Sequence, residues 1–421
     1  MGEILSKIDE RGVLDEVTSM LSLETIWQKD IHSLSGGELQ RMAIAAVALR
    51  DADVYIFDEP SSYLDVYQRI RMAALVQQLA KASKYVLVAE HDLAVLDYIS
   101  NQVCLFYGKA GVYGIVSKPH GVRVGINIYI NGYIPDENVR FRPYPIKFHL
   151  SPAPSEWRSE DVLLRWADFK KVLGDFTLDA KSGDIHRGEV VGIVGANGTG
   201  KTTFVKVIAG IIEPTAGSVN ENGIKVSYKP QYVVPNTDKT LREILDSINP
   251  ALLNDPWLNE EIYDPLDVAP LLDRETSSLS GGELQRIAVA VCLSRDVRLY
   301  LLDEPTAHLD VEHRLAVSRS IRRVAEKRGS AAFVVEHDIV ANDLLADSVM
   351  VFSGEPGRSG VANPPVGLRK GMNRFLKAVG ITFRRDPDTG RPRVNKRDSW
   401  LDRYQKEINE YYYTEATTEE D

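Results

Sequence analysis

Short apolar runs recur along the chain and end in polar or charged residues. Most have four or five residues, too few for buried helices, and they alternate with stretches of helical character. Unbroken apolar runs of this length predict parallel strands that are covered on both faces, so the predicted fold class is α/β. The runs are VYIF at 54–57, YVLVA at 85–89, VVGIV at 190–194, LYLL at 299–302 and AAFVV at 331–335.

The polar residues that follow these runs repeat at a long interval. The sequence LSGGELQR occurs at 34–41 and again at 279–286. Two E-H-D triplets, in VAEHD and VVEHD, are 246 residues apart. This period is too long for a solenoid and indicates duplication of a whole domain. Three further pairs are 245 residues apart: Ser35 and Ser280, Glu59 and Glu304, and Asp65 and Asp310.

The first copy is shorter than the second. A strand, a glycine-rich loop and a helix precede the second LSGGELQR, whereas only 33 residues precede the first. We therefore expect the first domain to be present only as its C-terminal portion, in a fragment, the product of a split gene or a mis-called start; another chain is one source of the missing portion. The expected division is 1–116 for the first domain, 117–150 for a hinge, 151–365 for a complete second domain and 366–421 for a basic segment with an acidic tail.

The glycine-rich loop GANGTGKTT begins at Gly195 and matches G-x-x-x-x-G-K-[ST] directly after an apolar strand. Gly195, Gly198 and Gly200 allow the backbone to wrap closely around phosphates. Lys201 is expected to reach the β- and γ-phosphates, and the Thr202 hydroxyl to bind Mg²⁺. The loop indicates a P-loop NTPase.

Carboxylate, imidazole and amide side chains follow the other strands of the second domain. Asp303 suits a Mg²⁺ ligand and Glu304 a base that polarises water. Gln231, in YKPQY, is placed to sense Mg²⁺ or the attacking water. His337 and its counterpart His91 end strands beside acidic pairs, which favours a functional role over packing.

Each SGGE predicts the start of a helix. Ser35 with Glu38, and Ser280 with Glu283, form the S-x-x-E pattern of a capping box. The two glycines between them leave the helix N-terminus bare, and open N–H groups there can bind an anion. Each SGGE is therefore expected both to cap a helix and to present donors to a phosphate.

Composition limits the function classes. The chain is 44% hydrophobic and 26% charged, and no apolar run approaches the length of a membrane span. Cys104 and Cys292 are too few for a metal cluster and are predicted to be buried. The net charge of −10 argues against coating of nucleic acid, yet 366–406 carry 12 basic and 4 acidic residues and 407–421 carry 6 acidic residues. Local contact with a polyanion and a solvated surface remain equally open.

Taken together, the P-loop, the glutamine after YKP, both LSGGE sequences, DEP with its following LD and the late histidine resemble the ATP-binding cassette (ABC) ATPases over 20–116 and 160–355. Two connecting segments narrow the resemblance. GINIYINGYIPDENVRFR, within 111–143, and RPRVNKRDSWLDRYQKEINEYYY at 391–413 resemble the two hinges of subfamily E, the ribosome-recycling RNase L inhibitor family.

The resemblance implies roles for further residues. In that family, ATP lies between two cassettes, and the LSGGE of one cassette closes over the P-loop of the other. Trp166 stands where the family places an aromatic residue that stacks on adenine. The implied nucleotide-binding residues are Asn197, Thr199 and Thr203 with the rest of the P-loop, and Ser35, Gly36, Gly37 and Glu38 from the first cassette. Asp65 and Asp310 fall in D-loops, and Ser280, Gly281, Gly282, Glu59 and His91 form a second half-site.

The implied function is an ATP-driven clamp on the ribosome, which acts in subunit splitting, translation initiation and ribosome biogenesis in the cytoplasm. The implied cofactors are ATP and Mg²⁺, and no iron–sulfur cluster is expected on this chain. The implied partners are the small ribosomal subunit with its rRNA and release or initiation factors; no membrane is expected. Arginines of the hinge segments could contact rRNA or pack the hinge. The alternatives are the energy-coupling subunit of an ABC transporter and an inactive ATP-binding scaffold.

Overall fold

The computed structural model describes residues 1–82, 84–109, 112–146, 148, 157–219, 224–233 and 239–412. These residues form two compact units. The first contains 1–148 and 383–402, and the second contains 157–382 and 403–412. The stretch from 366 onward is therefore divided between the two units.

The second unit is built around a parallel sheet. Its strands lie in the order Val226–Lys229, Leu299–Asp303, Ala331–Val335, Val190–Val194 and Ser348–Ser353. Every residue of the second, third and fourth of these strands is buried, which confirms the prediction of covered parallel strands. The other strands are Val162–Trp166, Phe169–Leu173, Phe176–Ala180, Gly183–His186, Ser359–Ala362 and Val366–Gly367.

Helices cover this sheet. The helix after the P-loop, Lys201–Ile208, places Phe204 in the centre of the core, where its ring lies 5.7 Å from that of Phe333. The further helices are Leu241–Ile248, Pro256–Leu258, Gly281–Ser294, Val311–Arg328, Ile339–Leu345 and Leu368–Val379, and Trp400–Glu407 follows near the end of the chain.

The first unit repeats part of this plan with two parallel strands, Val54–Asp58 and Tyr85–Ala89. Its helices are Gly2–Ile8, Leu14–Met20, Gly36–Ala48, Val66–Lys81, Leu93–Ile99 and Val122–Asn131. Short antiparallel pairs complete it: Gln102–Val103 with His120–Gly121, Phe106–Lys109 with Tyr113–Val116, Tyr133–Ile134 with Val139–Arg140, and Phe383–Arg385 with Pro392–Val394.

One face of the two parallel strands in the first unit is exposed. Ile56 is 68% and Leu87 60% exposed, whereas their counterparts in the repeat, Leu301 and Phe333, are fully buried. In the second unit those counterparts share a core cluster with Phe204 of the P-loop helix. The exposed face thus corresponds to the surface that a strand–loop–helix segment covers in the second unit. That another polypeptide portion covers it stays a prediction.

The two cysteines differ in their surroundings. Cys292 is buried as predicted, and burial raises the pKa of its thiol to about 11. The prediction of burial is wrong for Cys104, which is exposed. It lies between the strand Gln102–Val103 and Leu105, just before the two-stranded ribbon Phe106–Lys109 and Tyr113–Val116, whose side chains lie mostly on the surface.

A buried ion-pair cluster joins the C-terminal hairpin to the helix Leu93–Ile99 of the first unit. The guanidinium of Arg391 donates to the Asp97 carboxylate, and both side chains are fully buried. Arg393 Nη2 lies 3.0 Å from Asp97 Oδ1, and Arg393 Nη1 lies 3.3 Å from Asp386 Oδ2. The hinge arginines were expected either to contact rRNA or to pack the hinge, and Arg391 and Arg393 have the packing role.

The other basic residues of the hinge segments divide into buried and exposed members. Arg142 is buried; it donates to the carbonyl of Tyr129 and lies over that ring, 5.2 Å from its centroid. Arg140, Lys396 and Arg397 are exposed. Only the exposed members of this set present their charge to solvent and can contact a polyanion without rearrangement.

We predict that Asp97→Ala lowers the free energy of unfolding of the first unit by about 3–5 kcal/mol, because it leaves buried guanidinium groups without their carboxylate. Urea unfolding, followed by hydrogen exchange in Leu93–Ile99, measures this loss. Asp388→Ala is the matched control, since its carboxylate is largely exposed and pairs with Arg123 at the surface; it should cost less than about 1 kcal/mol. Equal effects of the two variants would contradict the prediction.

Candidate active site

The P-loop joins the buried strand Val190–Val194 to the helix Lys201–Ile208, as predicted. Gly200 has φ 92°, and a Cβ there would lie 2.8 Å from the ring of Phe176, so only glycine fits. The loop closes around Lys201, whose Nζ donates to the carbonyls of Gly195 and Ala196, each at 2.8 Å. Asn197, Thr199 and Thr203 lie in the same loop and in the first turn of the helix.

A hydroxyl and a carboxylate meet beside this loop. Thr202 Oγ1 donates to Asp303 Oδ2 at 2.7 Å. Asp303 is fully buried, and its second oxygen, Oδ1, has no hydrogen-bond partner among the described residues. Burial raises the pKa of Asp303, although the bond from Thr202 opposes the rise. The two side chains provide hard oxygen ligands of the kind that Mg²⁺ prefers.

Three side chains predicted to be catalytic meet at Glu304, the residue after Asp303. Glu304 Oε1 accepts a hydrogen bond from Gln231 Nε2 at 2.7 Å and lies 3.4 Å from His337 Nε2. Burial alone would raise the pKa of Glu304, but the close contact with His337 and the nearby positive charges of Lys201 and Lys229 outweigh it and lower the pKa to about 2. Glu304 is therefore ionised at neutral pH and can only accept hydrogen bonds.

Sequence reasoning missed Lys229, whose ammonium contacts the main chain of the residue that carries this carboxylate. Its side chain is 1% exposed, and its Nζ donates to the carbonyls of Asp303 at 2.9 Å and Glu304 at 3.1 Å. Burial lowers the pKa of Lys229 to about 8, against the opposing effect of the nearby carboxylates. The available signal was a lysine at the end of the short strand Val226–Lys229, two residues before Gln231.

Both predicted capping boxes are present at the helices that begin after SGGE. Ser35 and Ser280 cap Gly36–Ala48 and Gly281–Ser294, each with its glutamate three residues later. The second glycine of each pair also has a packing role, since a Cβ at Gly37 would lie 2.8 Å from the Tyr63 carbonyl and one at Gly282 2.9 Å from that of His308. The first glycine of the second copy, Gly281, faces open space.

The D-loop aspartates act as helix caps. Asp65 accepts a hydrogen bond from the backbone of Gln68, and Asp310 from that of His313, each at 2.9 Å. These bonds satisfy N–H groups in the first turns of Val66–Lys81 and Val311–Arg328.

The prediction that Trp166 stacks on adenine is wrong. Trp166 is 1% exposed and packs edge-on against Phe204 and Phe333 in the core of the second unit. Its indole N–H donates to the carbonyl of Lys181 at 2.7 Å. The side-chain alternation of the strand Val162–Trp166 points this ring inward, so a nucleotide base has no access to it.

The first copy repeats the carboxylate and imidazole in a more open setting. Glu59 Oε1 lies 3.6 Å from His91 Nε2, and each side chain is nearly half exposed. Glu59 and Glu304 share a left-handed backbone, with φ of 44° and 48°. The local geometry of the motif is therefore the same in both copies, and burial is what differs.

A P-loop, a buried aspartate and a glutamate held by glutamine and histidine define an ATPase site of the cassette type, and comparisons with known proteins agree. The ABC transporter family matches residues 6–62 and 178–307. An uncharacterised ABC transporter ATP-binding protein of Methanocaldococcus jannaschii is 52% identical over 99% of this chain and 68% of its own. ABC transporter E family member 1 of Arabidopsis thaliana is 43% identical over 98% and 69%.

Translation initiation factor RLI1 of Saccharomyces cerevisiae is 42% identical over 99% of this chain and 69% of its own. The solved structure of an RNase-L inhibitor superposes with a TM-score of 0.94 at 53% identity, over 98% of this chain and 80% of that one. The archaeal ribosome recycling factor aABCE1, in its complex with the ribosomal stalk protein aP1, gives 0.93 at 53% identity, over 98% and 79%.

The chain belongs to the E family of ABC ATPases. It binds and hydrolyses ATP, as the conserved domain and these relatives indicate. No group of three or more His, Cys, Asp or Glu side chains within the described residues could hold a metal ion unaided. Among the described helices, none combines the length and the apolar composition needed to cross a bilayer.

We predict that Glu304→Gln slows ATP hydrolysis about 10²–10⁴-fold, because it removes the carboxylate that is expected to orient the attacking water and accept its proton. ATP affinity should stay close to that of the parent, since the P-loop is unchanged. Steady-state turnover and equilibrium binding of a fluorescent ATP analogue measure the two effects. Glu59→Gln is the matched control in the first copy and should retain most of the turnover; near-normal turnover of Glu304→Gln would remove Glu304 from this role.

Proposed function

We propose that this chain is an ATP-driven clamp that acts on ribosomes in the cytoplasm, in subunit splitting, translation initiation and ribosome biogenesis. The observation that carries the proposal is similarity over nearly the whole chain, hinge segments included, to relatives named as translation initiation factors and to a ribosome recycling factor. A structure of ribosome-bound archaeal Pelota and ABCE1 also matches, with a TM-score of 0.92 at 54% identity. The proposed partners are the small ribosomal subunit with its rRNA, and release or initiation factors.

In the proposed mechanism, Lys201 and the backbone N–H groups of the P-loop bind the β- and γ-phosphates of ATP. Thr202 and Asp303 would hold Mg²⁺, with Gln231 as a further ligand or as a sensor of it; the unpartnered oxygen of Asp303 supports this fit. When bound, Mg²⁺ supplies positive charge that offsets the charge of the phosphates. No iron–sulfur cluster is proposed on this chain, because its two cysteines are too few to hold one.

Glu304 is proposed to orient the attacking water and accept its proton. A carboxylate with a pKa near 2 is a strong hydrogen-bond acceptor but a weak base. The negative charge of a bound triphosphate opposes its ionisation, so the pKa should rise toward a useful value when ATP is present. Gln231 and His337 fix the direction of the carboxylate by their contacts with Oε1.

We further propose that the site for the ATP bound by the P-loop is completed by residues of the first cassette, as in the family. These residues are Ser35, Gly36, Gly37 and Glu38. Their capped helix has an N-terminus suited to a phosphate. The γ-phosphate then supplies the difference in affinity between closed and open states, which is the only way a ligand can drive closure. Hydrolysis removes that difference and the clamp opens. Ser280, Gly281 and Gly282 with Glu59 and His91 would form the second half-site.

The proposed function predicts that the chain, with ATP and a release factor, increases the fraction of free ribosomal subunits. Sucrose-gradient sedimentation of purified 70S or 80S ribosomes measures this fraction, with Glu304→Gln as the variant that binds without turning over. Co-sedimentation with membranes instead of ribosomes would favour the energy-coupling subunit of a transporter. Absence of any turnover in the steady-state assay would favour the inactive scaffold.

We predict that Ser35→Arg blocks closure and lowers turnover by about 10²-fold or more, while ATP still binds, because a bulky cation replaces a donor at the γ-phosphate. Equilibrium ATP binding and steady-state turnover separate the two effects. Thr240→Arg disrupts an equivalent capping box, at the helix Leu241–Ile248 outside the proposed sites, and is the matched control for loss of a cap alone. Unchanged turnover in Ser35→Arg, or equal losses in both variants, would contradict the cross-cassette site.

A further inference from the structure

We propose that Lys229 is a positioning residue for ATP hydrolysis, whose buried ammonium fixes the backbone of Asp303 and Glu304 and thereby aims the Glu304 carboxylate. The inference rests on the proposed catalytic role of Glu304. Lys229 ends the strand Val226–Lys229, which pairs in parallel with Leu299–Asp303, so its side chain arises next to the strand that carries both carboxylates.

The contacts of Lys229 are with main-chain oxygens. Its Nζ lies 2.9 Å from the carbonyl of Asp303 and 3.1 Å from that of Glu304. Glu304 has a left-handed backbone, which is disfavoured for a side chain with a Cβ. Two consecutive carbonyls directed to one point repel each other when buried, unless a donor lies between them. The ammonium meets that requirement and stabilises the turn.

The Glu304 carbonyl that Lys229 contacts also binds the helix that follows the second SGGE. Gln285, on the helix Gly281–Ser294, donates from Nε2 to the same Glu304 carbonyl at 2.6 Å. The amide of Glu304 donates to the carbonyl of Val335 at 2.9 Å. The main chain of Glu304 is thus held by three neighbouring elements, and Lys229 is the only charged donor among these contacts.

The first copy shows that the turn forms without such close bonding. Glu59 has φ 44°, and Gln40 Nε2 lies 3.3 Å from its carbonyl, 0.7 Å longer than the Gln285 bond in the second copy (3.3 − 2.6). The Glu59 side chain is nearly half exposed, whereas that of Glu304 is 21% exposed. If Lys229 served only to form the turn, a buried charge would not be required. The comparison with the first copy therefore favours a role for Lys229 in directing the Glu304 carboxylate.

Lys229→Met tests the inference, because methionine keeps most of the length but donates nothing. We expect kcat to fall about 10²-fold, the scale for a slightly misplaced catalytic group. The KM for ATP should change by less than about threefold, since the P-loop is untouched. Lys229→Arg, which keeps the charge and donors, should recover kcat to within about tenfold of the parent.

Ser227→Ala is the matched control on the same strand. Ser227 Oγ donates to the carbonyl of Cys292 at 2.9 Å, so its loss weakens the strand without removing a bond to Asp303 or Glu304. We expect a lower melting temperature with kcat within about twofold of the parent. Parent-like kcat in Lys229→Met, a change in KM alone, or an equal fall in kcat in Ser227→Ala would each overturn the inference.

Glu304→Gln, measured in the same assay, tests the underlying role of Glu304. If Glu304→Gln loses turnover and Lys229→Met does not, only the inference about Lys229 fails; if Glu304→Gln keeps turnover, the base assignment fails first. Should Lys229→Met not fold, Lys229→Gln replaces it. The glutamine amide keeps two N–H donors without the charge, and about a tenfold loss of kcat at unchanged KM is expected. Parent-like kcat in that variant would overturn the inference.

Discussion

The parallel direction of the central strands is the constraint on which the active site depends. In a parallel sheet all strands end at the same edge, so residues far apart in sequence meet there without long loops. The P-loop follows Val190–Val194, Glu304 follows Leu299–Asp303, and His337 follows Ala331–Val335. Their spacing is set by the backbone hydrogen bonds of the sheet, and the side chains add only the final contacts. Packing of Phe204 against the sheet then fixes the helix that carries Thr202.

Most of this site was predictable because its chemistry depends on residue type at a fixed place in a strand–loop–helix unit. The P-loop, the capping boxes and the grouping of Gln231, Glu304 and His337 all follow from such local patterns. Trp166 was mispredicted because an offset along the chain does not fix which face of a strand a ring occupies. Lys229 was missed because a lysine in a short strand of mixed polarity does not reveal that its ammonium will bind main-chain carbonyls.

Duplication makes the two copies informative about each other. The same turn carries Glu59 and Glu304, so the left-handed backbone belongs to the motif and not to one environment. What differs is cover: Ile56 and Leu87 are exposed where Leu301 and Phe333 are enclosed. Cys104 is likewise exposed, although apolar residues flank it in the sequence. Apolar sequence predicts a tendency to be buried, while burial itself requires a neighbouring element.

The pairing of Asp97 with Arg391 and Arg393 has a consequence for the order of events during synthesis. The partners are separated by 294 and 296 residues, and the whole of the second unit's sheet is encoded between them. A ribosome must therefore translate that sheet before the hairpin Phe383–Val394 can seal the first unit. Domains generally fold as they emerge from the ribosome. The Asp97 carboxylate should therefore remain solvated while the second unit folds, until its arginine partners have been translated. A segment that is translated after the second unit's sheet thus completes the first unit.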